Sequence, residues 1–501
     1  MDGPEDAAND FVSTGIAGLD HILRGGFLRK GFYLVQGDPG SGKTTLALQY
    51  LMSCSRAGER GLYITLTETV SDLRLACRSH GWSLDAIEVS DLTRSDFNMV
   101  GEGQYVIFHP SEVELGETTR QIMAEVERTN PMHVVFDGLS ELRTLAADSL
   151  RYRRQLLSLK HYFEEQGITV LLLDDRTNPL GHIQPESLVG GNIVLEKHLP
   201  GYGGARRRLN VTKVRGANFQ DGYHDYEIVR GGVVVHPRLV AAEHHDAFDL
   251  DVFSSGVENL DLMTHGGLQA GTTTLLLGPA GAGKSTVAMQ YVATALSRGR
   301  KAAVFTFDEV IETLFSRSEK LCLEEIRQYL KDGRLHAQQV DPAELSPGGF
   351  ADKVTRVVEG GARIIVIDSL NGYLSAMPEE RFLTTHLHEL FSYLNQQGIV
   401  TIVVVAQHGL LMANSQELDV SYLADMVLLL RYFEVSAQIR QAISVFKKRT
   451  GSHERTLREL LITDSGVQVG NPLEGFRGIL TGVPQYDGGT LPLRDEGKAD
   501  A

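Results

Sequence analysis

Short apolar runs alternate with longer amphipathic segments along the first half of the chain. Phe32–Gln36, Leu62–Leu66, His133–Phe136 and Ile168–Leu173 are apolar runs too short for helices. Between them, Thr44–Met52, Val113–Arg128 and Leu150–Gln166 read as helices. Buried strands separated by helices predict an α/β fold, a mainly parallel sheet covered on both faces. Arg206–Val214 and Tyr226–Val235 alternate apolar with polar positions and predict antiparallel strands added to that sheet.

The pattern then repeats. Ser13-Thr14-Gly15-Ile16-Ala17-Gly18-Leu19-Asp20, followed by Gly25-Gly26, returns as Ser254-Ser255-Gly256-Val257-Glu258-Asn259-Leu260-Asp261, followed by Gly266-Gly267. Gly15 and Gly256, Lys43 and Lys284, and Glu68 and Glu309 share an offset of 241 residues. Further on, Asp137 pairs with Asp368 at an offset of 231, and Lys213 with Lys447 at 234. Loop lengths differ while the order persists. The expected organisation is an N-terminal domain over residues 1–245, a C-terminal domain over 246–472, and a tail over 473–501. Ala241–Asp251, with His244 and His245, reads as a solvated linker.

Composition narrows the function. The 501 residues carry 48 Lys and Arg against 64 Asp and Glu, a net charge of −16. A protein built to grip a phosphate backbone carries the opposite balance, so nucleic acid is not the expected partner. Cys54, Cys77 and Cys322 form no CxxC pair, which excludes a disulfide framework and a zinc ribbon and fits a reducing, cytoplasmic setting. The longest apolar stretches, near Ile168–Leu173 and Ile399–Ala406, fall far short of the ~20 residues of a membrane span.

The chemistry sits at two glycine loops. Gly37-Asp38-Pro39-Gly40-Ser41-Gly42-Lys43-Thr44 and Gly278-Pro279-Ala280-Gly281-Ala282-Gly283-Lys284-Ser285 both match GxxxxGK[ST], with Thr45 and Thr286 next in line. Each follows an apolar strand and precedes a helix. Backbone N–H groups would cradle phosphate oxygens at the helix N-terminus, and Lys43 and Lys284 would neutralise the terminal phosphates. Thr44 and Ser285 would ligate Mg²⁺, with Asp137 and Asp368 completing its shell from strand ends. Glu68 and Glu309, with Asp308 beside the latter, end the next strands and are candidates to orient or deprotonate the attacking water. The expected ligand is ATP with Mg²⁺. Gln407, after Ile402–Val405, could sense the γ-phosphate or simply end a strand.

Two such units, each opening with S-x-G and L-D and a Gly-Gly step, resemble the KaiC family of tandem RecA-like P-loop ATPases. The resemblance runs from about Ser13 to Pro484 and includes Asn210–Gly216 and Val445–Arg449. It implies a homohexameric double ring with nucleotide between subunits. It also implies that a Lys-x-Arg pair reaches the neighbour's γ-phosphate; Lys213 with Arg215, and Lys447 with Arg449, match that pair. In the family the N-terminal half is a slow ATPase and the C-terminal half adds autokinase and autophosphatase activity. Two adjacent glutamates serve as base; here the pairs are Thr67-Glu68 and Asp308-Glu309. The family phosphorylates an adjacent Ser-Thr, and the matching stretch keeps Ser421 but replaces the threonine by Tyr422. The resemblance therefore points to serine autophosphorylation at one position and to a signalling or timing role. Signalling proteins of the KaiB-like or response-regulator type are the partners it suggests. The last stretch, Leu491–Ala501, forms no clear amphipathic helix, so partner docking through it is not expected. Two other readings stay open on sequence: a DNA-dependent RecA-like ATPase, and an ATP-gated scaffold with little turnover.

Overall fold

A computed structural model describes residues 10–93, 110–146, 148–176, 185–201, 203–319, 326–341, 343–375, 382–407, 421–435, 438–463, 466–479 and 485–486. The chain divides into two compact units, Met1–Arg238 and Leu239–Ala501.

In the first unit a short hairpin of β1 (Phe11–Val12) and β2 (Phe27–Leu28) precedes the main sheet. Its strands are β3 (Phe32–Gly37), β4 (Gly61–Thr65), β5 (Glu88–Asp91), β6 (His133–Asp137), β7 (Thr169–Asp175), β8 (Gly191–His198), β9 (Arg206–Val214), β10 (Tyr223–Val229) and β11 (Gly232–His236). The nine strands lie in the order β11-β10-β9-β8-β3-β7-β6-β4-β5. From β8 to β5 every neighbour is parallel; β9, β10 and β11 are added antiparallel. Tyr226–Val235, expected as one strand, is a hairpin. Gly231 (φ 111°) and Gly232 (φ 118°) adopt positive φ and turn the chain, a geometry that glycine alone takes at little cost.

Period-two alternation sends Tyr33 and Val35 to one face of the first sheet and Phe32 and Leu34 to the other. The first face packs on the helix Lys43–Arg56 through Leu46, Tyr50 and Leu51; the second packs on the helix Ser149–Glu165 through Leu156 and Phe163. All four β3 side chains are therefore buried, as strands sandwiched between helices require.

The second unit repeats this plan. A hairpin of β12 (Val252–Phe253) and β13 (Leu268–Gln269) leads in. There follow β14 (Thr273–Gly278), β15 (Lys301–Thr306), β16 (Leu335–Gln339), β17 (Ala362–Asp368), β18 (Val400–Ala406), β19 (Met426–Val435), β20 (Gln438–Lys448), β21 (Arg458–Thr463) and β22 (Gly466–Pro472). Their order, β16-β15-β17-β18-β14-β19-β20-β21-β22, mirrors the first sheet. Both units are thus α/β domains of the tandem RecA-like kind.

The linker is largely solvated, as its polarity suggests: within Ala241–Asp251 only Ala241 is buried and His244 half-buried, but the segment is tied down at a few points. The Ala241 N–H donates to Glu389 Oε2 at 3.1 Å, and the His244 ring meets Tyr393 edge-on at 5.2 Å. A Cβ placed on Gly398 would lie 2.4 Å from the Phe248 ring, so that glycine makes room for Phe248. Glu389 thereby fastens this segment to the second unit. The tail over Leu491–Ala501 lies outside the described residues.

Candidate nucleotide sites

Each glycine loop joins the C-terminal end of a central strand to a helix N-terminus. β3 and β14 end at Gly37 and Gly278, and the helices Lys43–Arg56 and Lys284–Ser297 begin at the loop lysines. Gly42 (φ 98°) and Gly283 (φ 96°) occupy the left-handed region at the two N-caps. A Cβ there would lie 2.6 Å from Ile228 Cδ1 and Ile462 Cδ1, side-chain ends that can shift, so it is the left-handed backbone that favours glycine. The first four N–H groups of each helix have no intrahelical acceptor, and they face this loop. A polyphosphate fits such a cradle.

In the first loop Lys43 Nζ donates to Gly37 O at 2.8 Å, Asp38 O at 3.3 Å and Asp175 Oδ1 at 2.7 Å. Asp175 ends β7 and was not singled out from sequence. Its signal was the acidic end of the apolar run, Asp174-Asp175. In the second loop Lys284 is buried, with Nζ donating to Pro279 O at 2.7 Å. Burial lowers its ammonium pKa, while Asp368 opposes that shift. Anionic phosphate would relieve this desolvation.

The residues expected to hold Mg²⁺ come together in both units. Thr44 Oγ1 donates to Glu68 Oε1 at 3.5 Å, and buried Asp137 accepts from Tyr63 OH at 2.5 Å. Burial pushes the Asp137 carboxyl above the usual carboxylate range. Burial does the same to Glu68, and the Asp137 charge adds to it. In the second unit burial raises Asp368, opposed by its hydrogen bond with Ser285. These donors are hard oxygens, and the clustered carboxylates lack solvent to screen them. That set suits Mg²⁺.

The two base candidates differ. Glu68 faces the Thr44 hydroxyl. Glu309 instead accepts from Arg317 Nη1 and Nη2, both at 3.0 Å. Arg317 lies two turns along from it on the helix Ile311–Glu319. Asp308 accepts from the Ser369 hydroxyl. The first unit has Ala76 where the second has Arg317, and Thr67 and Gly138 where it has Asp308 and Ser369. Both clamps are specific to the second unit.

Gln407 sits directly beside the second loop: its N–H donates to Gly278 O at 3.0 Å. Its side-chain oxygen is buried without a hydrogen-bond partner.

The Lys/Arg pairs lie at the other end of each sheet. Lys213 pairs with Asn192, which pairs with Leu34, three residues before Gly37. Lys447 pairs with Val427, which pairs with Leu275, three residues before Gly278. Three strand residues span roughly 10 Å. The side chains are fastened there too. Lys213 Nζ donates to Glu186 O at 2.8 Å and Arg215 Nη2 to Ser187 O at 3.3 Å. Lys447 Nζ donates to Ala424 O at 2.8 Å, and Arg449 Nη2 to Tyr422 O at 2.7 Å. Ser421 begins a 3-10 turn, Ser421–Leu423, which Arg449 binds at Tyr422 O and Lys447 just beyond at Ala424 O, and the Tyr422 side chain is half exposed. Among the described residues no helix is long and apolar enough to cross a membrane.

The family model described as "ATPase: KaiC" matches residues 12–240 and again 253–474. The chain is 26% identical to the circadian clock protein KaiC3 of Synechocystis sp. over 492 residues, covering 95% of this chain and 94% of that protein. It is 24% identical to the circadian clock oscillator protein KaiC of Parathermosynechococcus lividus, with 94% and 87% covered. Against KaiC of Synechococcus elongatus the identity is 25%, with 94% and 91% covered.

Proposed function

Because the chain belongs to the KaiC family of ATPases, with two tandem domains, we propose that it assembles as a homohexamer, hydrolyses ATP in the first unit and phosphorylates its own Ser421 in the second. The observation that carries this reading is the placement of Lys447, Arg449 and Ser421 together, away from their own phosphate loop. A pair so placed serves a γ-phosphate only on another copy. It would bring the Ser421 turn with it as the phosphoryl acceptor. Lys213 and Arg215 hold the matching position in the first unit.

The mechanism is in-line transfer of the γ-phosphoryl group. Gly37–Thr45 and Gly278–Thr286 hold the phosphates, and Lys43 and Lys284 turn from loop carbonyls to phosphate oxygens. Mg²⁺, when bound by Thr44 with Asp137 or Ser285 with Asp368, offsets charge on the transferring group. The neighbour's arginine adds to that stabilisation as charge develops. In the first unit Glu68 takes the proton of the attacking water. Its raised pKa suits a base working near neutrality better than an ordinary carboxylate would. In the second unit Asp308 or Glu309 takes the Ser421 proton, and each must first leave its present partner. A role in signalling or timing follows from a slow phosphoryl state written and read by one assembly.

A second reading has a specific observation behind it. With both acidic groups engaged, the second unit could act as an ATP-gated scaffold with little turnover. Intact-protein mass after incubation with Mg-ATP, for wild type and Ser421→Ala, separates the two. A phosphoryl increment in wild type alone supports the kinase. No increment in either removes it and leaves the scaffold.

A further inference from the structure

At the end of the first sheet opposite the phosphate loop, three side chains of metal-ligating type converge. Cys54 lies in the last turn of the helix Lys43–Arg56, Glu59 in the connection to β4, and His133 at the start of β6. One donor atom from each lies within 4.8 Å of the others. Cys54 and His133 are buried, at 1% exposure each. We propose that Cys54, Glu59 and His133 bind one zinc ion, with a fourth, open coordination position.

The surroundings are those of a metal site. His133 Nδ1 meets Tyr50 Oη at 2.8 Å, leaving Nε2 directed at Glu59 Oε2, 2.5 Å away. Arg29 grips both Glu59 oxygens, with Nη2 to Oε1 at 2.8 Å and Nη1 to Oε2 at 3.2 Å, so Oε2 must exchange its Arg29 contact for the ion while Oε1 stays held. Partners that fix the far side of a ligating histidine and carboxylate are the usual outer shell of a zinc centre. One thiolate, one imidazole and one carboxylate suit zinc's borderline character. Bonds of about 2.0–2.3 Å put neighbouring donors roughly 3.3–3.8 Å apart, so small shifts admit the ion. A cavity of about 460 Å³ opens on the Glu59 side of the cluster, lined also by Ser55, Gly58 and Arg60.

The duplication supplies an internal comparison. The equivalents of Arg29, Cys54, Glu59 and His133 in the second unit are Ala270, Ala295, Arg300 and Ile364, and that unit folds alike. The fold does not require the cluster.

The proton balance is simple. Without metal, the buried Cys54 side chain is a thiol, and only its thiolate ligates zinc. The His133 ring hydrogen-bonds Tyr50 through Nδ1 and Glu59 through Nε2. On binding, the thiol proton leaves to solvent. The imidazole keeps its one proton but carries it on Nδ1, donating to Tyr50, so that Nε2 can ligate. One proton is released per ion, and affinity rises about tenfold per pH unit.

The test uses the full chain, stripped with chelator and then dialysed against equimolar Zn²⁺ or Co²⁺. The expected result is one ion retained per chain and, with Co²⁺, a thiolate-to-metal charge-transfer band. Cys54→Ala, which copies Ala295, removes the band and weakens retention at least tenfold. Tyr50→Phe weakens it about 10- to 100-fold. Wild type that retains no ion, a Co²⁺ spectrum without the thiolate band, or a band unchanged in Cys54→Ala would each overturn the site. The wild-type measurements decide the matter even if a variant fails to fold.

Discussion

Arg317 holds both carboxylate oxygens of Glu309, at 3.0 Å each. The equivalent residue of the first unit is Ala76, and there Glu68 faces the Thr44 hydroxyl instead. That substitution, in the helix after the base strand, is one of those that give the two sites different electrostatics.

Replacing Arg317 by Gln frees Glu309. In a Glu68→Gln background, which silences the first site, we expect phosphate release by the second site to rise several-fold. Steady-state release at saturating ATP measures this. A lower rate would mean that Arg317 positions the glutamate for catalysis.

Lys43→Ala and Lys284→Ala should each remove one nucleotide site and leave the other. Bound nucleotide per chain then falls from two to one in each variant. Quantifying nucleotide after denaturation checks it, and a loss of both would show the sites to be coupled.

If Arg215 acts on a neighbour's nucleotide, two defective chains can repair each other. Arg215→Ala alone and Lys43→Ala alone should each lose first-unit turnover, by about 10³-fold for a transition-state arginine. Mixed and reassembled, they should regain part of it, because some interfaces then pair an intact loop with an intact arginine. Turnover of the mixture no greater than the sum of its parts would refute action in trans.

His224 makes stability depend on pH. It is buried at 1% exposure, with Nε2–H donating to Gln220 O and Nδ1 accepting from Arg238 N–H. Only the neutral ring can do both, and burial lowers its pKa to about 4. An unfolded histidine titrates near ~6.5, so between these values the unfolded chain binds more protons. The contribution is complete above the unfolded pKa and is lost as pH falls from about 6.5 to about 4. Over that window it amounts to roughly 3 kcal/mol. Denaturant titrations of wild type and His224→Gln at pH 7 and 5 measure it; the variant should lose less on acidification.

Much of this was legible in one dimension. The loop sequences report themselves, because glycine at Gly42 and Gly283 is favoured by positive φ. Asp137 and Asp368 were legible as the polar ends of apolar strands. The duplication then vouched for each half with the other. Arg317, Ser369 and Asp175 were not legible, since each gains its meaning from a neighbour that only packing supplies. Ser369 is an ordinary serine until Asp308 comes against it. Cys54 and His133 are 79 residues apart and meet only because the helix Lys43–Arg56 runs back down the sheet to the start of β6. The linker read correctly as solvated, but its polar residues hid Phe248, whose half-exposed ring packs beside Gly398.

The separation of Lys213 and Arg215 from Gly37, at opposite ends of β8 and β3, has a kinetic corollary. Under the proposed action in trans, a dilute chain can hold nucleotide without the neighbour's arginine that completes the reaction. Under action in trans, specific activity climbs with protein concentration until every loop has a neighbour. The amount of protein in the cell then becomes an input to its own reaction rate, alongside the supply of ATP.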